Sequence, residues 1–262
     1  MSVDLLSAFA VLDPKGVIAL AERGLMLNAV LLMLVVAVPV FILIFFFAWR
    51  YRAGNTKAKY LPNWEHGKME ELVWWAIPFE IVLILGALTW TSTHELDPPK
   101  PLPGGIPLVV QVVALDWKWL FIYPEEDIAS VNYVRFPLNK PTQFEITADA
   151  PMNSFWIPEL GGQIYAMTGM VTTLNLMASE EGQFMGMSAN YSGVGFAQMK
   201  FIAEAVRQEE YDAWVAEVKT SSSTLRWGAY NTLAKPSIAE WPAQYGSVEL
   251  GLFDSIIMKF AH

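Results

Sequence analysis

The chain has 262 residues, and 54% of them are hydrophobic, which exceeds the roughly 45–50% of ordinary soluble proteins. It contains no cysteine, which excludes disulfide bonds, thiolate metal sites, cysteine nucleophiles and thioether haem attachment. The net charge is −9, and residues 93–262 carry it with ten basic and nineteen acidic side chains, so that this part will not bind nucleic acid or anionic lipid through charge.

The excess of apolar residues lies in two blocks, Ala29 to Trp49 and Leu72 to Trp90. The first block has 21 residues without a charged side chain, and as a helix it would extend about 30 Å, the thickness of a membrane's hydrocarbon core. The second has 19 residues and a single charge, Glu80. Tryptophan and tyrosine flank both blocks, as is typical of membrane interfaces. We therefore predict a two-helix transmembrane hairpin.

The loop between the two blocks is basic. Its basic residues are Arg50, Arg52, Lys57, Lys59 and Lys68. Because basic loops remain on the cytoplasmic side, we expect both termini outside, in the periplasm of a Gram-negative cell. The predicted location is thus a bacterial inner membrane, crossed twice.

From Ile106 onward the sequence alternates between apolar and polar residues, as strands do. We predict one face formed by Val109, Gln111, Val113 and Leu115 and continued by Trp117, Trp119, Phe121 and Tyr123. Further strand candidates are Thr142 to Thr147, Val171 to Ala178 and Gly195 to Ala203. Many short strands separated by glycine and proline predict an all-β sandwich or Greek-key barrel.

After Ala205 the pattern becomes helical. Three short helices are predicted, at Glu209 to Lys219, Leu225 to Ala234 and Phe253 to Phe260. The chain then divides into an outer N-terminal tail (1–24), a transmembrane hairpin (25–92), a β domain outside the membrane (93–205) and a C-terminal helical extension (206–262). Within the hairpin, the spans are about 29–49 and 72–90, and the cytoplasmic loop is 50–71.

Four segments in order resemble subunit II of the haem-copper oxidases. They are Glu71–Pro78 at the start of the second helix, the aromatic strand Asp116–Tyr123, Asn153–Pro158 and the loop Ser188–Met199. The resemblance covers nearly the whole chain and implies a cupredoxin-like Greek-key domain. In copper-bearing members, the last two segments hold a two-copper centre with cysteine, histidine, methionine and glutamate ligands.

The ligand positions that this resemblance implies are occupied here by other residues. They are Asn153, Ser188, Asn190, Ser192, Phe196 and Met199, and only the methionine is retained. A serine hydroxyl stays protonated near neutral pH and cannot replace a cysteine thiolate. Phenylalanine has no lone pair, and one thioether cannot hold two copper ions. The three histidines, His66, His94 and His262, are far apart in sequence and do not match a zinc or haem spacing. We therefore predict that this chain binds no metal.

In lacking the copper ligands, the chain resembles the quinol oxidase branch of the family. The stretch Leu12–Gly16 resembles the corresponding stretch of the bo-type ubiquinol oxidases. The resemblance implies a subunit of a proton-pumping quinol:oxygen oxidoreductase in which this chain is not itself redox-active. It also implies that subunit I carries the haems, one copper and the ubiquinol site. The expected partners are subunit I, further small membrane subunits and the lipid bilayer, and no nucleic acid.

Three residues receive roles from the resemblance, and each has a simpler alternative. Glu71 corresponds to a glutamate at the mouth of a proton channel in subunit I, although a carboxylate at a helix N-terminus is also favoured by the helix dipole alone. Trp117 and Trp119 are expected to pack against subunit I rather than to carry electrons. The alternative function for the whole chain is a stand-alone, membrane-tethered binding or assembly module.

Overall fold

The computed structural model describes residues 10–57, 63, 67–238 and 241–260. The chain divides into two compact units. One is Gly24–Leu96, and the other combines Met1–Arg23 with Asp97–His262. We describe each unit by itself, beginning with the helical one.

Two long helices account for the helical unit, α1 (Val17–Arg50), which enters it at Gly24, and α2 (Lys68–Glu95). Both are long and apolar enough to cross a membrane. Helix α1 begins at Val17, inside the segment 1–24 that was predicted as a tail. The residues before Ala29 include alanine, leucine and glutamate, which favour helix. The apolar pattern therefore predicts only the part of α1 that is suited to the hydrocarbon core, and the helix itself begins earlier, at Val17.

The second unit contains thirteen strands and three short helices among the described residues. The strands are β1 (Leu108–Leu115), β2 (Lys118–Tyr123), β3 (Ile128–Val131), β4 (Tyr133–Pro137), β5 (Thr142–Ala148), β6 (Asn153–Trp156), β7 (Ile164–Ala166), β8 (Thr172–Leu176), β9 (Gly182–Ser188), β10 (Lys200–Val206), β11 (Thr224–Leu225), β12 (Ala243–Tyr245) and β13 (Ser247–Val248). The helices are α3 (Gln208–Lys219), α4 (Trp227–Leu233) and α5 (Leu252–Met258).

Two sheets form a sandwich. One has the order β12-β3-β2-β1-β5-β8, the other has the order β4-β10-β9-β6-β7, and β11 pairs separately with β13. Within the two large sheets, β1–β5 and β4–β10 are parallel and the remaining pairs are antiparallel. Buried aromatic rings from both sheets meet in the core, where Trp119 of the first sheet lies edge-on to Phe155 of the second with ring centroids 5.3 Å apart. The predicted all-β sandwich is confirmed.

The predicted aromatic face is wrong in one respect, because the chain reverses at Asp116 and Trp117. Strands β1 and β2 form an antiparallel hairpin in which Leu115 pairs with Lys118, and Trp117 has a φ of 63°. A two-residue turn places odd-numbered residues of β1 on the same face as even-numbered residues of β2. Trp119 therefore packs in the core between the sheets, whereas Val113 faces the opposite side.

The C-terminal segment is not purely helical, which corrects the predicted extension 206–262. Its strand β12 joins the six-stranded sheet beside β3, and Leu225, predicted as helical, lies in β11. Helix α3 agrees with its predicted position. A second apolar cluster covers the outer face of the large sheet and includes Val113, Leu120, Tyr230, Phe253 and Ile256. The segment is thus an integral layer of the β domain.

The residues before α1 also attach to the sandwich. Gly16 forms an antiparallel bridge with Ala178, and the backbone N–H of Lys15 donates to the carbonyl of Glu159 at 2.7 Å. A Cβ on Gly16 would lie 2.5 Å from the carbonyl oxygen of Leu160, so the close approach requires glycine here. The start of α1 is therefore held against the loop that follows β6.

Candidate functional site

The candidate site lies where β6 begins and β9 ends. These strands are antiparallel neighbours, with Phe155 opposite Ser188, so Asn153 and Ser188 are brought close together. The backbone N–H of Ala189 donates to the carbonyl of Ser154 at 3.0 Å and extends this pairing. Two positions that are 35 residues apart in sequence therefore meet through sheet register.

A buried polar cluster occupies this end of the sandwich. The hydroxyl of Ser188 donates to Oδ1 of Asn153 at 2.9 Å, and Nδ2 of Asn153 donates to the carbonyl of Pro151 at 2.7 Å. Asn190 Nδ2 donates to the carbonyl of Met152 at 2.9 Å. Asn153 and Ser188 are only 1% and 5% exposed. Such buried polar groups are stable because they satisfy one another.

The loop between β9 and β10 brings the remaining three positions to the same end. Met199 is fully buried, and its carbonyl accepts a hydrogen bond from the N–H of Ser188 at 3.1 Å. Phe196 starts a short 3₁₀ turn, and its ring lies edge-on to Tyr191 at 5.6 Å. The Ser192 hydroxyl is buried and has no hydrogen-bond partner among the described residues.

Trp117 fixes this loop from the β1–β2 turn. Its indole N–H donates to the carbonyl of Ser192 at 3.1 Å, across 75 residues of sequence. A Cβ on Gly195 would lie 2.4 Å from the Trp117 ring, so glycine permits the ring to lie against the loop backbone. The left-handed backbone of Trp117 and this close packing together define the loop position.

The donor set at this site does not fit a two-copper centre. Mixed-valence copper needs thiolate and imidazole ligands, and here the six side chains are two amides, two hydroxyls, a phenyl ring and the thioether of Met199. Within the described ranges, no cluster of three or more His, Cys, Asp or Glu side chains has metal-binding geometry. We therefore derive no redox step through these residues.

Two family descriptions match the outer unit. Residues 126–206 match "Cytochrome C oxidase subunit II, periplasmic domain", and residues 219–262 match "COX Aromatic Rich Motif". Cytochrome bo(3) ubiquinol oxidase subunit 2 of Pseudomonas aeruginosa is 50% identical over 95% of this chain and 76% of its own length. That of Pseudomonas putida is 51% identical over 96% of this chain and 81% of its own length.

The chain belongs to the quinol oxidase subunit 2 family. It is thus a subunit of a haem-copper oxidase complex, with two membrane helices and a cupredoxin-like domain. The crystal structure of the periplasmic domain of subunit II of cytochrome oxidase from Bradyrhizobium japonicum is also similar, with 23% identity and a TM-score of 0.41. The match covers 43% of this chain and 94% of that structure.

The six residues predicted to replace copper ligands all fall within the matched periplasmic domain, and the structure brings them together at one end of it. Trp119 is placed differently from its prediction. It is fully buried between Phe155 and Phe201, so it cannot contact another subunit. The two-residue turn between β1 and β2 explains this difference, because it places Trp119 on the face of the sheet that points into the core. Trp117 is partly buried, and its predicted role stays a prediction.

Glu71 lies in the first turn of α2 beside Glu70, and both side chains are exposed in the helical unit. Its backbone N–H donates to the carbonyl of Gly67 at 2.9 Å. Glu80 is two and a half turns further along the same helix, and it is also exposed. The sequence placed both residues on this helix, and their function stays a prediction.

Sequence reasoning missed two charged clusters in the family's outer domain. Arg135 pairs with Glu204 at 2.6 Å, lies over the ring of Trp214 at 5.7 Å and contacts Tyr133. Burial raises the pKa of Glu204, but hydrogen bonds from Tyr133, Gln183 and Arg135 outweigh it and hold the pKa below its ordinary value. These residues join the strands β4 and β10 to α3.

The second cluster anchors the aromatic-rich segment. The carboxylate of Asp149 accepts a hydrogen bond from the Tyr230 hydroxyl at 2.7 Å and pairs with Lys259 at 2.7 Å. Burial raises the pKa of the Tyr230 phenol, and Asp149 raises it further. Nearby, the buried amine of Lys118 donates to the carbonyl of Lys235 at 3.0 Å and also bonds to Ser237. No sequence pattern indicated either contact.

Proposed function

We propose that this chain is the non-redox subunit II of a proton-pumping terminal oxidase that oxidises ubiquinol and reduces oxygen to water. Two ubiquinol molecules would supply four electrons, and these electrons together with four protons taken up from the cytoplasmic side would convert one oxygen molecule into two water molecules. The haems, a single copper and the ubiquinol site would lie in subunit I. This chain would support subunit I and cover its outer side.

The observation that carries the proposal is the similarity to ubiquinol oxidase subunits over almost the whole chain, at 50% identity. The side chains at the ligand positions add a chemical reason. An oxidase fed by cytochrome c needs an electron acceptor in this domain, and the amides and hydroxyls of Asn153, Ser188 and Asn190 cannot accept an electron. Quinol, which dissolves in the membrane, can deliver electrons without that step.

We also propose that Glu71 contributes to proton entry on the cytoplasmic side. It is an exposed carboxylate at the N-terminus of a membrane-spanning helix, and a carboxylate there can relay protons when water reaches it. The basic residues of the loop between the helices favour a cytoplasmic location for this end. Both termini, with the β domain, would then lie in the periplasm of a bacterial inner membrane.

The experiment is purification of the native complex through a tag on this chain, followed by haem spectroscopy and measurement of oxygen consumption. We expect haem to co-purify and ubiquinol to support oxygen consumption. A chain that purifies alone and without haem would favour the stand-alone binding or assembly module and would contradict the proposal.

A further inference from the structure

Helix α2 carries a carboxyl group in the middle of its apolar block. Glu80 lies eight residues after Leu72 and ten residues before Trp90, which is about 12 Å and about 15 Å along the helix axis. A glutamate side chain is much shorter than either distance, so it cannot reach water at either end of the block. Ionisable groups at this depth of a membrane almost always face a protein partner rather than lipid.

The partner of Glu80 does not lie in the helical unit. Its side chain is exposed, and no side chain in the described part of the chain forms an ion pair or a hydrogen bond with it. The half-buried residues of α2 form a separate stripe at helical spacing, which consists of Ile81, Leu85, Leu88 and Ser92. Three of them share a groove with Leu25 and Ala29 of α1, so this stripe is where the two helices pack.

The face of α2 around Glu80 is suited to a neighbouring helix. Consecutive residues are rotated by about 100° around a helix, so Glu80 lies to one side of the stripe that begins at Ile81. Ala76 and Ala87 lie on the Glu80 face, one turn before it and two turns after it. Small residues at such positions allow the backbones of two membrane helices to approach closely.

Two further observations show that this chain leaves the Glu80 face without an occupant. Residues 38–49 of α1 and 68–80 of α2 are exposed throughout, so the halves of both helices next to the connecting loop do not cover each other. Glu71 precedes Glu80 by nine residues, or two and a half turns, and the two carboxyl groups project from opposite sides of α2. The proton entry proposed for Glu71 therefore does not account for Glu80.

We propose that Glu80 forms a hydrogen bond with a donor side chain on a membrane-spanning helix of another subunit, and that the face with Ala76 and Ala87 is the contact surface. Complementarity selects this occupant. A carboxyl group in hydrocarbon needs a hydrogen-bond donor, and lipid chains offer none. A second copy of this chain would bring another carboxyl group to the same depth. The inference requires only that the chain is one subunit of an oxidase complex, and it does not depend on the electron donor.

The first test measures how fast other subunits leave the detergent-solubilised complex when it is immobilised through a tag on this chain. Glu80→Leu removes the acceptor, and dissociation should become about threefold to tenfold faster, the range for one hydrogen bond between membrane helices. Glu80→Gln keeps an acceptor oxygen and should dissociate at close to the original rate. Val82→Leu is the control, because Val82 is exposed on the other side of α2. Equal rates for the original complex and Glu80→Leu would overturn the hydrogen bond.

The second test identifies the occupant. A photo-reactive benzoylphenylalanine replaces Ile84, which lies one turn after Glu80 on the same face. We expect irradiation of the purified complex to link this chain to a membrane-spanning segment of another subunit that carries a donor side chain. A product that contains two copies of this chain would overturn the choice of partner. Adducts with lipid alone would overturn the protein contact.

Discussion

The hydroxyl of Ser188 donates a hydrogen bond to the side-chain oxygen of Asn153 at 2.9 Å, although the two residues are 35 positions apart. Both are buried, and each lies at the end of a strand that antiparallel pairing brings together. In copper-bearing relatives, the resemblance assigns ligands to these two positions. Here the two side chains form a hydrogen bond with each other.

This contact makes the first prediction. Asn153→Leu removes the acceptor at 2.9 Å and leaves the buried Ser188 hydroxyl only the longer contact to the carbonyl of Asn190 at 3.2 Å. The loss should cost about 1–3 kcal/mol. We expect a lower midpoint of thermal unfolding for the detergent-solubilised chain. The double variant Asn153→Leu with Ser188→Ala removes both partners and should recover part of the loss. A single variant as stable as the original chain would show that the contact contributes nothing.

The Arg135–Glu204 pair predicts a dependence of stability on pH. Hydrogen bonds hold the pKa of Glu204 below its ordinary value of 4.5, so the carboxylate form is favoured in the folded chain. The resulting stability is complete above about pH 4.5 and is lost as the pH falls through the lower, folded-state pKa. Glu204→Gln should therefore lower the unfolding midpoint at pH 7, and the difference from the original chain should shrink below pH 4.5. A difference that is constant between pH 7 and pH 3 would contradict this prediction.

The contacts of Asp149 lead to a prediction about what holds the aromatic-rich segment (219–262) on the β domain. Its side chain is 5% exposed, and it is bound by Tyr230 and Lys259 from that segment. Tyr230→Phe removes one partner of a buried carboxylate, so residues 219–260 should exchange amide hydrogens faster while β1 and β5 stay protected. Tyr165→Phe is a matched control because Tyr165 is exposed. Unchanged exchange in Tyr230→Phe would mean that packing alone holds the segment.

The broad architecture could be predicted from the sequence because it depends on composition and alternation. The two apolar blocks gave the helices, and alternating strands gave the sandwich. The β1–β2 hairpin could not be found this way, since a turn of two residues leaves the alternation unbroken while it exchanges the faces. Strand β12 has three residues and depends on pairing with β3. The strand order could not be read from local patterns either.

The candidate site was predictable only in part, for the same reason. The resemblance assigned six ligand positions, and the structure places these residues at one end of the β domain. That they correspond to copper ligands in relatives stays a prediction. The Arg135–Glu204 pair joins residues 69 positions apart and arises because β4 and β10 run parallel in a register that places them opposite each other. Such contacts follow from the tertiary fold, and local sequence carries no signal for them.

Glu71 gives a prediction for the helical unit. Glu71→Gln removes the carboxylate proposed to carry protons but keeps the size of the side chain. Ubiquinol-dependent oxygen consumption should therefore fall at least about tenfold, within the range of proton-transfer effects. Haem content should not change. Glu70→Gln is the control, because Glu70 is the adjacent carboxylate in the same helical turn. Equal turnover in both variants and the original complex would remove the proton-entry role from Glu71.

The most direct test of the account is the copper content and electron donor of the complex purified through this chain. We expect copper equal to the single ion proposed for subunit I, oxygen consumption with ubiquinol and none with cytochrome c. Two additional copper ions per complex, together with oxidation of cytochrome c, would contradict the argument from Asn153, Ser188 and Ser192.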